Sequence, residues 1–321
     1  MSTNEKLHVS VCPHISSPRT TASIMLDVII ALLPATVAGT IIFGIRALFV
    51  CLVSVAAAVA AESIFCVITK RENTVPDLSA VVTGLLLALN LPATVPLWMA
   101  AVGSVFAIVV VKCLFGGIGQ NFANPALTGR IFMLIAFSSS VLAAAPVIKG
   151  ATLDAYSSAT PLAEYMDPYL SPEAYQADLR QLFLGLHRGA IGETCALALI
   201  IGFVYLIVKK VVRPFAPIAF IATVYIASLI FEGFDFTAAL YWVLSGGLFL
   251  GAFFMATDYS TTPITDLGKI IFGVGAGLIT VLIRFWGSYP EGVSFAILFM
   301  NILTPYIDKL CNRKPFGGEI R

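Results

Sequence analysis

Long apolar runs alternate with short polar stretches along almost the whole chain. Because a helix needs about 20 apolar residues to cross a bilayer, runs of that order predict membrane-spanning helices. Ten runs qualify or nearly qualify, at residues 24–44, 47–68, 78–91, 97–114, 131–145, 191–208, 215–231, 236–256, 270–285 and 293–307. Helix-breaking residues interrupt two of them: the third ends in Asn90-Leu91-Pro92, and the eighth contains Gly246-Gly247. The pattern predicts an all-α integral membrane protein with about ten transmembrane helices.

The composition excludes a soluble fold. Apolar residues make up 59% of the chain and charged residues 12%, with a mean hydropathy of +0.94. A typical soluble protein carries about 25% charged residues. The formal net charge of +1 offers no positive field for nucleic acid, so membrane lipid is a predicted partner and nucleic acid is not. The six cysteines are scattered without a C-x-x-C pair, and no metal site is predicted.

The basic residues are distributed unequally between the two sides of the predicted bundle. With ten crossings, fourteen of the nineteen Lys and Arg residues fall on one side and five on the other. The positive-inside rule makes the richer side cytoplasmic, and both termini lie there in a multi-pass protein of the cell membrane. The one long hydrophilic connection, residues 146–190, is acidic and falls on the outer side. Long loops in compact bundles usually carry function.

The chain also contains a weak internal repeat. Residues 84–96 resemble residues 247–263, and residues 122–128 resemble residues 299–304. Five spans per half require the second half to lie inverted, which gives the architecture of urea channels. The simpler alternative is that helices rich in Leu, Gly and Ala resemble one another by composition. The predicted organisation is an N-terminal segment (1–23), a first five-helix repeat (24–145), the outer loop (146–190), a second repeat (191–308) and a cytoplasmic tail (309–321).

The outer loop contains one distinctive motif, Asp154-Ala-Tyr-Ser157-Ser158-Ala159-Thr160-Pro161-Leu162. A residue before proline is restricted to extended conformations, so Thr160 should present its hydroxyl away from a helix. Small neighbours at Ser158 and Ala159 leave that hydroxyl accessible, and Asp154 offers a carboxylate for recognition by a modifying enzyme. On these grounds alone an ordinary loop is the more favoured interpretation.

The motif resembles the acceptor sequence of a flavin transferase, which joins FMN to a threonine through a phosphodiester. The chain as a whole resembles the NqrB/RnfD family, whose members include the RnfD subunit of the Rnf electron-transport complex and the NqrB subunit of the sodium-pumping NADH:quinone reductase. The similarity includes residues 23–34 (SIMLDVIIALLP), residues 112–127 (KCLFGGIGQNFANPAL) and residues 255–258 (MATD). It implies covalent FMN on Thr160, supported by Asp154, Ser157, Ser158, Ala159 and Pro161, on the outer side of the membrane.

A second set of candidate residues follows the fourth span. Glycines between Gly116 and Gly119 allow close backbone approach to a ligand, and the amides of Asn121 and Asn124 suit the polar edge of an isoalloxazine ring. In the related quinone reductase, matching asparagines hold a noncovalent riboflavin near the cytoplasmic side. The alternative is that both asparagines only cap helix ends. Asn301 and Thr304 are weaker counterparts in the second half.

Ionisable residues inside predicted spans are further candidates for a polar or ion path. Asp27 and Glu62 lie in the first two spans, and Asp258 ends the eighth beside Thr257. Asp27, near a span boundary, could equally be hydrated.

The resemblance implies a membrane flavoprotein subunit of an ion-translocating ferredoxin:NAD oxidoreductase, which exports Na⁺ or H⁺ and is not catalytic alone. The implied partners are the other Rnf subunits, especially a second flavinylated subunit, and a flavin transferase during maturation. The alternative function is a small-solute channel of the urea-channel type, for which the motif around Thr160 would have no use.

Overall fold

The structure is a computed structural model that describes residues 19–142, 179–287 and 291–311. The motif that contains Asp154, Ser157, Ser158, Ala159, Thr160 and Pro161 lies outside the described residues. All regular elements within the described ranges are helical, as predicted.

The helices of the first half are α1 (Thr21–Phe43), α2 (Ile45–Thr69), α3 (Ser79–Leu89), α4 (Leu97–Phe106), α5 (Pro125–Ala136) and the short α6 (Ser138–Leu142). A 3₁₀ turn, Val75–Asp77, precedes α3, and π-helical turns over Ala107–Cys113 extend α4.

The helices of the second half are α7 (Leu179–Leu184), α8 (Ala196–Val208), α9 (Phe215–Phe231), α10 (Phe236–Leu244), α11 (Leu248–Leu250), α12 (Asp266–Trp286) and α13 (Val293–Leu310). A π-helical segment, Gly251–Met255, extends α11.

Each predicted span overlaps a helix, but their lengths differ. In the described part of the chain, four helices (α1, α2, α12 and α13) are long and apolar enough to cross a membrane alone. Helix α10 and the α11 segment form a fifth candidate, bent by 64° at the predicted glycine break. The other five apolar helices contain 10–17 residues. Together these features describe a multi-pass membrane protein with several short or broken helices.

Two predicted boundaries were wrong for identifiable reasons. The fifth helix begins at Pro125 rather than at residue 131, because Asn124 caps its first turn and proline fits that position. The sixth span begins as a helix only at Ala196, because residues 189–194 form a buried, irregular segment. Hydropathy alone does not separate such a segment from the helix that follows it.

The two halves pack against each other through equivalent helices. The first helix of each half, α1 and α8, are in contact, and so are the last, α5 and α13. Within each half, the second and fourth helices also pack together, as α2 with α4 and α9 with α12. A two-fold relation between the halves would produce these contacts. That the second half is inverted relative to the first stays a prediction.

The α1–α8 contact is close because α8 carries a glycine there. A Cβ atom added to Gly202 would lie 2.0 Å from the carbonyl oxygen of Ala31 on α1. We therefore expect Gly202→Ala to separate the halves and destabilise the protein by about 1–3 kcal/mol, as overpacking usually does. Thermal unfolding in detergent measures the effect. Ile201→Ala, at an exposed neighbouring position, should change the midpoint little; equal shifts for both variants would contradict the close contact.

A buried arginine supports the break in the second half. Arg284 near the end of α12 is 1% exposed and donates hydrogen bonds to the carbonyls of Trp242, at 2.5 Å, and Ser245, at 3.4 Å. These carbonyls belong to the last turn and end of α10, where backbone acceptors lack partners within the helix. The guanidinium therefore supplies donors that a lipid environment cannot provide.

A second buried arginine supports the break in the first half. Arg130 on α5 donates to Oδ1 of Asn90, the residue that ends α3, at 2.5 Å, and forms an ion pair with Glu291. The buried segment 189–194 completes this region, because the amides of Ile191 and Gly192 donate to carbonyls of the broken end of α3. Irregular backbone at membrane depth is tolerated only where protein satisfies it, as here.

Candidate functional site

The largest group of predicted site residues lies around one pocket at the end of the bundle predicted to be cytoplasmic. The pocket encloses about 770 Å³ of empty space, which includes the open solvent at its mouth. Its walls come from α1, α3, α4, the start of α5, α8 and the turn after Met255. Four predicted residues line it: Asn121, Asn124, Thr257 and Asp258. The fold thus brings together candidates that lie more than a hundred positions apart.

The two asparagines play different parts. Asn124 caps α5, since its Oδ1 accepts from the amides of Ala126, at 3.0 Å, and Leu127, at 3.4 Å. Its Nδ2 donates to the carbonyl of Met255 at 3.4 Å, which ties the two halves together. The Oδ1 of Asn121, by contrast, is buried and has no hydrogen-bond partner within the described residues. A buried acceptor without a partner is costly, so Asn121 is the residue whose amide is available to a ligand.

The glycine loop before Asn121 adopts the conformations that its composition predicts. Gly116, Gly117 and Gly119 have φ values of 118°, 101° and 85°, a region that residues with a Cβ atom rarely occupy. The loop folds back tightly, with the amide of Gly117 bonded to the carbonyl of Lys112 at 3.0 Å. This turn carries the chain from the end of α4 to Asn121 at the pocket wall.

Asp258 and its neighbours form a second polar part of the wall. Its carboxylate accepts from Ser260 at 2.9 Å and from Thr261 at 3.1 Å. Burial raises the pKa of the Asp258 carboxyl, an effect that these two hydrogen bonds oppose. Burial and the nearby Asp258 charge also raise the pKa of Tyr259 to about 12. Thr257 directs its hydroxyl back to the carbonyl of Phe253 at 2.7 Å, so that hydroxyl already has an acceptor.

Glu62 does not reach the pocket directly but supports a residue that does. It is fully buried on α2 and forms an ion pair with Lys112, 2.7 Å away in the π-helical extension of α4. Lys112 lines the pocket and also donates to Ser79 Oγ at 2.5 Å, and Thr74 donates to the same Glu62 oxygen at 2.5 Å. The other oxygen of Glu62, Oε2, is buried and has no partner in the described parts of the chain.

Both π-helical segments end at this pocket. The first contains Lys112, and the second, Gly251–Met255, leads directly into Thr257 and Asp258. Such turns shift the register of the side chains that follow and occur frequently at functional sites.

Asp27 lies close to the pocket without lining it. Its Oδ1 accepts from the hydroxyl of Tyr205 on α8 at 2.8 Å, which joins the first helices of the two halves. Its neighbours Met25, Val28 and Leu206 contribute apolar wall. Asp27 is therefore half-buried and bonded rather than simply hydrated.

The weaker candidates of the second half, Asn301 and Thr304, lie at the contact between the halves, where Asn301 bonds to Asn124 of the first half. With its amide oriented so that both atoms are bonded, Asn301 donates to the carbonyl of Thr261 at 3.1 Å and accepts from the amide of Asn124 at 3.2 Å. Thr304 donates to the same Thr261 carbonyl at 2.9 Å. These side chains join the halves and do not line the pocket. Contact between residues that the predicted repeat pairs is what a two-fold axis passing close to them would produce.

Three buried basic residues of this core were not among the predicted site residues. In the sequence, Lys112, Arg130 and Arg284 counted only as charges on one side or the other, yet all three are buried and bonded inside the protein. The rule that flags ionisable residues within apolar spans would have found Lys112 and Arg284 had it been applied to bases as well as acids. Arg130 lies one position before the predicted fifth span, so the misplaced start of that span hid it. Removing them from the count leaves twelve basic residues on the predicted inner side and four on the outer side, so the bias persists.

Comparison with known proteins places the chain in a family. Residues 8–317 match the family described as the NQR2, RnfD, RnfE family. A relative from Acetobacterium woodii, named as a subunit of the "Na(+)-translocating ferredoxin:NAD(+) oxidoreductase complex", is 44% identical over 97% of this chain and 95% of its own length.

A relative from Clostridium ljungdahlii, named as a subunit of the "Proton-translocating ferredoxin:NAD(+) oxidoreductase complex", is 40% identical over 96% of both chains. A subunit of the "Ion-translocating oxidoreductase complex" of Escherichia coli is 32% identical over 96% of this chain and 98% of its own. A match of this extent covers every helix of both halves, and the chain belongs to the NQR2, RnfD, RnfE family.

Proposed function

We propose that this protein is the flavin-carrying membrane subunit of an ion-translocating ferredoxin:NAD oxidoreductase complex. The observation that carries the proposal is the match over 97% of the chain to a relative named as a subunit of such a complex. The protein acts with the other subunits and is not catalytic alone. The relatives of 44% and 40% identity are named for different ions, so the proposal covers Na⁺ and H⁺ equally.

The pocket has the features that a noncovalent flavin requires. Asn121 offers a buried carbonyl oxygen that can accept from the ring N3–H, and apolar side chains such as Leu86 and Phe254 can pack against the ring faces. The left-handed glycine loop brings Ile118 and Asn121 to the pocket wall. Riboflavin is the proposed occupant because the family resemblance implies it.

A bound flavin supplies the electron-carrier chemistry that amino-acid side chains lack. The chain's own part is to hold and shield it. Asn121 orients the polar edge, the apolar wall excludes water, and Asn124 fixes the start of α5, next to which Asn121 is presented. Lys112, held by Glu62 and Ser79, keeps a positive charge at the pocket wall.

The second proposed cofactor is FMN joined to Thr160 through a phosphodiester. The motif around Thr160 supports it, together with its position in the only long hydrophilic connection of the chain. This arrangement requires a flavin transferase during maturation and a second flavinylated subunit as electron partner. We propose that this loop lies outside the membrane and that both termini are cytoplasmic.

The competing proposal, a urea-type channel, shares the helical architecture but predicts no flavin. The two are separated by purifying the protein from a host that contains the flavin transferase and denaturing it. We expect one flavin to be released and a second to remain on the polypeptide, in equal amounts. A protein that carries neither flavin would overturn the redox proposal and leave the channel alternative.

The role of Asn121 has its own test. We expect Asn121→Ala to weaken binding of the released flavin about tenfold, because a hydrogen bond in a buried site contributes about 1–1.5 kcal/mol. Flavin content after dialysis, measured by chromatography, reports the change. Gln120→Ala is the matched control, because this amide is exposed next to Asn121 and does not line the pocket. Equal flavin content in both variants would remove Asn121 from the site.

A further inference from the structure

A second pocket adjoins the one proposed to hold the noncovalent flavin, which contains Asn121 and is called the flavin pocket below. It also measures about 770 Å³ including its mouth, and it shares Val211, Val212, Thr257 and Tyr259 with the first. We call it the basic pocket, because Lys210, Arg213 and Lys269 line it. None of these three cationic residues lines the flavin pocket.

The charge of the basic pocket is unbalanced. Three cationic side chains line it, whereas the described lining residues include no carboxylate. Two carboxylates bond to lining residues from outside the pocket. Asp266 Oδ1 lies 2.6 Å from Nη1 of Arg213 at a largely exposed position, and Asp308 Oδ1 accepts from the backbone amide of Ile264 at 3.1 Å. Two carboxylates do not balance three cations. The pocket therefore retains an excess of positive charge.

The backbone adds to this field. Helices α9 and α12 pack side by side and begin at this pocket, with Ala216 in the first turn of one and Lys269 in the first turn of the other. A helix N-terminus carries a partial positive charge that favours anions. Two of them, together with three cationic side chains, suit a compact polyoxygen anion.

The rest of the lining suits a ligand that is not a free ion. Val211, Val212, Ala256, Pro263 and Ile264 provide apolar wall beside the cations. Basic pockets between membrane helices on the cytoplasmic side bind anionic lipid headgroups. Because four lining residues are shared, a ligand seated in the flavin pocket could also extend a phosphate into the basic pocket.

We propose that the basic pocket is a binding site for a phosphate group carried by an amphipathic ligand, with Lys210, Arg213 and Lys269 as its ligating cations. An anionic phospholipid and a flavin nucleotide in the adjacent pocket share this chemistry. Binding of a phospholipid here is independent of the proposed function, whereas binding of a flavin nucleotide rests on it.

The test uses the purified full-length chain in neutral detergent, with phosphatidylglycerol and phosphatidylcholine as probes. Thermal stabilisation and lipid retention in native mass spectrometry are compared for the wild type and for the double variant Lys210→Gln/Lys269→Gln. We expect phosphatidylglycerol affinity to fall at least about tenfold in this variant, since charge-assisted hydrogen bonds contribute most to such a site. Lys70→Gln/Lys309→Gln removes two exposed lysines from the same predicted face and should bind as the wild type does.

Asp266→Asn should change the affinity for phosphatidylglycerol in the opposite direction. Removing this carboxylate frees Arg213 for the ligand, so we expect phosphatidylglycerol to bind severalfold more tightly. If these residues only stabilise the fold, both variants should bind phosphatidylglycerol more weakly. If they form the proposed site, Asp266→Asn should bind it more tightly and Lys210→Gln/Lys269→Gln more weakly.

The source of the phosphate is decided by a parallel titration with FMN and riboflavin. If the ligand is a flavin nucleotide, FMN binds more tightly than riboflavin, and Lys210→Gln/Lys269→Gln removes that difference without changing riboflavin binding. If it is a lipid, the two flavins bind alike and phosphatidylglycerol alone depends on the lysines. If neither phosphatidylglycerol nor FMN distinguishes the double variant from Lys70→Gln/Lys309→Gln, the proposal is wrong, while the flavin content measured in the same samples still tests the proposed function.

Discussion

Replacing Thr160 by alanine should abolish the flavin that remains on the denatured polypeptide. A phosphodiester needs the side-chain oxygen of Thr160, and alanine has none. After denaturing electrophoresis, the wild-type band should fluoresce and the Thr160→Ala band should be dark. The mass of the peptide that contains Thr160 should fall by the FMN adduct as well as by the substitution itself. The flavin released on denaturation should persist, because its proposed pocket lies elsewhere in the chain.

Thr152→Ala provides the matched control for this experiment. It removes a threonine hydroxyl from the same connection, lies two positions before the motif begins at Asp154, and leaves Thr160 intact. Its band should fluoresce like the wild type. A fluorescent Thr160→Ala band would contradict the assignment of the attachment residue, and a dark wild type from a host that contains the transferase would contradict covalent attachment altogether.

Replacing Arg284 by alanine should produce the largest loss of stability. The guanidinium is fully enclosed and bonds the carbonyls of Trp242 and Ser245 at the broken end of α10. Its removal leaves both acceptors without these donors and removes a positive charge that interacts with the buried carboxylate of Glu193. Breaking a buried charged contact from one side costs about 3–5 kcal/mol. We expect a large fall in the thermal unfolding midpoint in detergent.

Arg213→Ala is the control for burial, because the ion pair between Arg213 and Asp266 is largely exposed. Exposed pairs contribute about 0–1 kcal/mol, so this variant should unfold close to the wild type. Arg284→Lys should recover part of the loss, since an ammonium can still reach one carbonyl. Similar midpoints for Arg284→Ala and Arg213→Ala would show that α10 does not depend on the buried guanidinium.

The helices were predictable because a lipid environment allows few alternatives. A spanning segment must satisfy its own backbone, so an apolar run of sufficient length is almost always helical. The breaks at Asn90 and at Gly246-Gly247 were also visible, as interruptions in the apolar runs. The irregular conformation of the buried segment 189–194 was not visible, because it depends on hydrogen bonds to the carbonyls of Leu89 and Leu91, about a hundred residues away.

The site was predictable only as separate pieces. Asn121 and Asn124 were chosen for their amides, and Asp258 for its position beside a broken helix. Nothing in the sequence indicated that they face one pocket. Helix capping was an open alternative for both asparagines, and only the structure separates them: Asn124 caps α5 with its Oδ1, whereas Asn121 leaves its Oδ1 unpaired among the described residues. The pair Glu62 and Lys112 was missed because its members are fifty positions apart on different helices.

The sequence by itself determined that this chain is a bundle of apolar helices with an uneven distribution of basic residues, and that its long hydrophilic loop carries a threonine motif. Burial of apolar residues and hydrogen bonding within each helix are local properties that can be read along the chain. Only the tertiary structure decided which polar groups meet: Lys112 with Glu62, Arg284 with the end of α10, and Asn124 with Asn301. The reason is physical. Such contacts depend on how each helix is rotated and where it breaks, and in helices as uniformly apolar as α1 and α2 hydropathy carries little information about rotation.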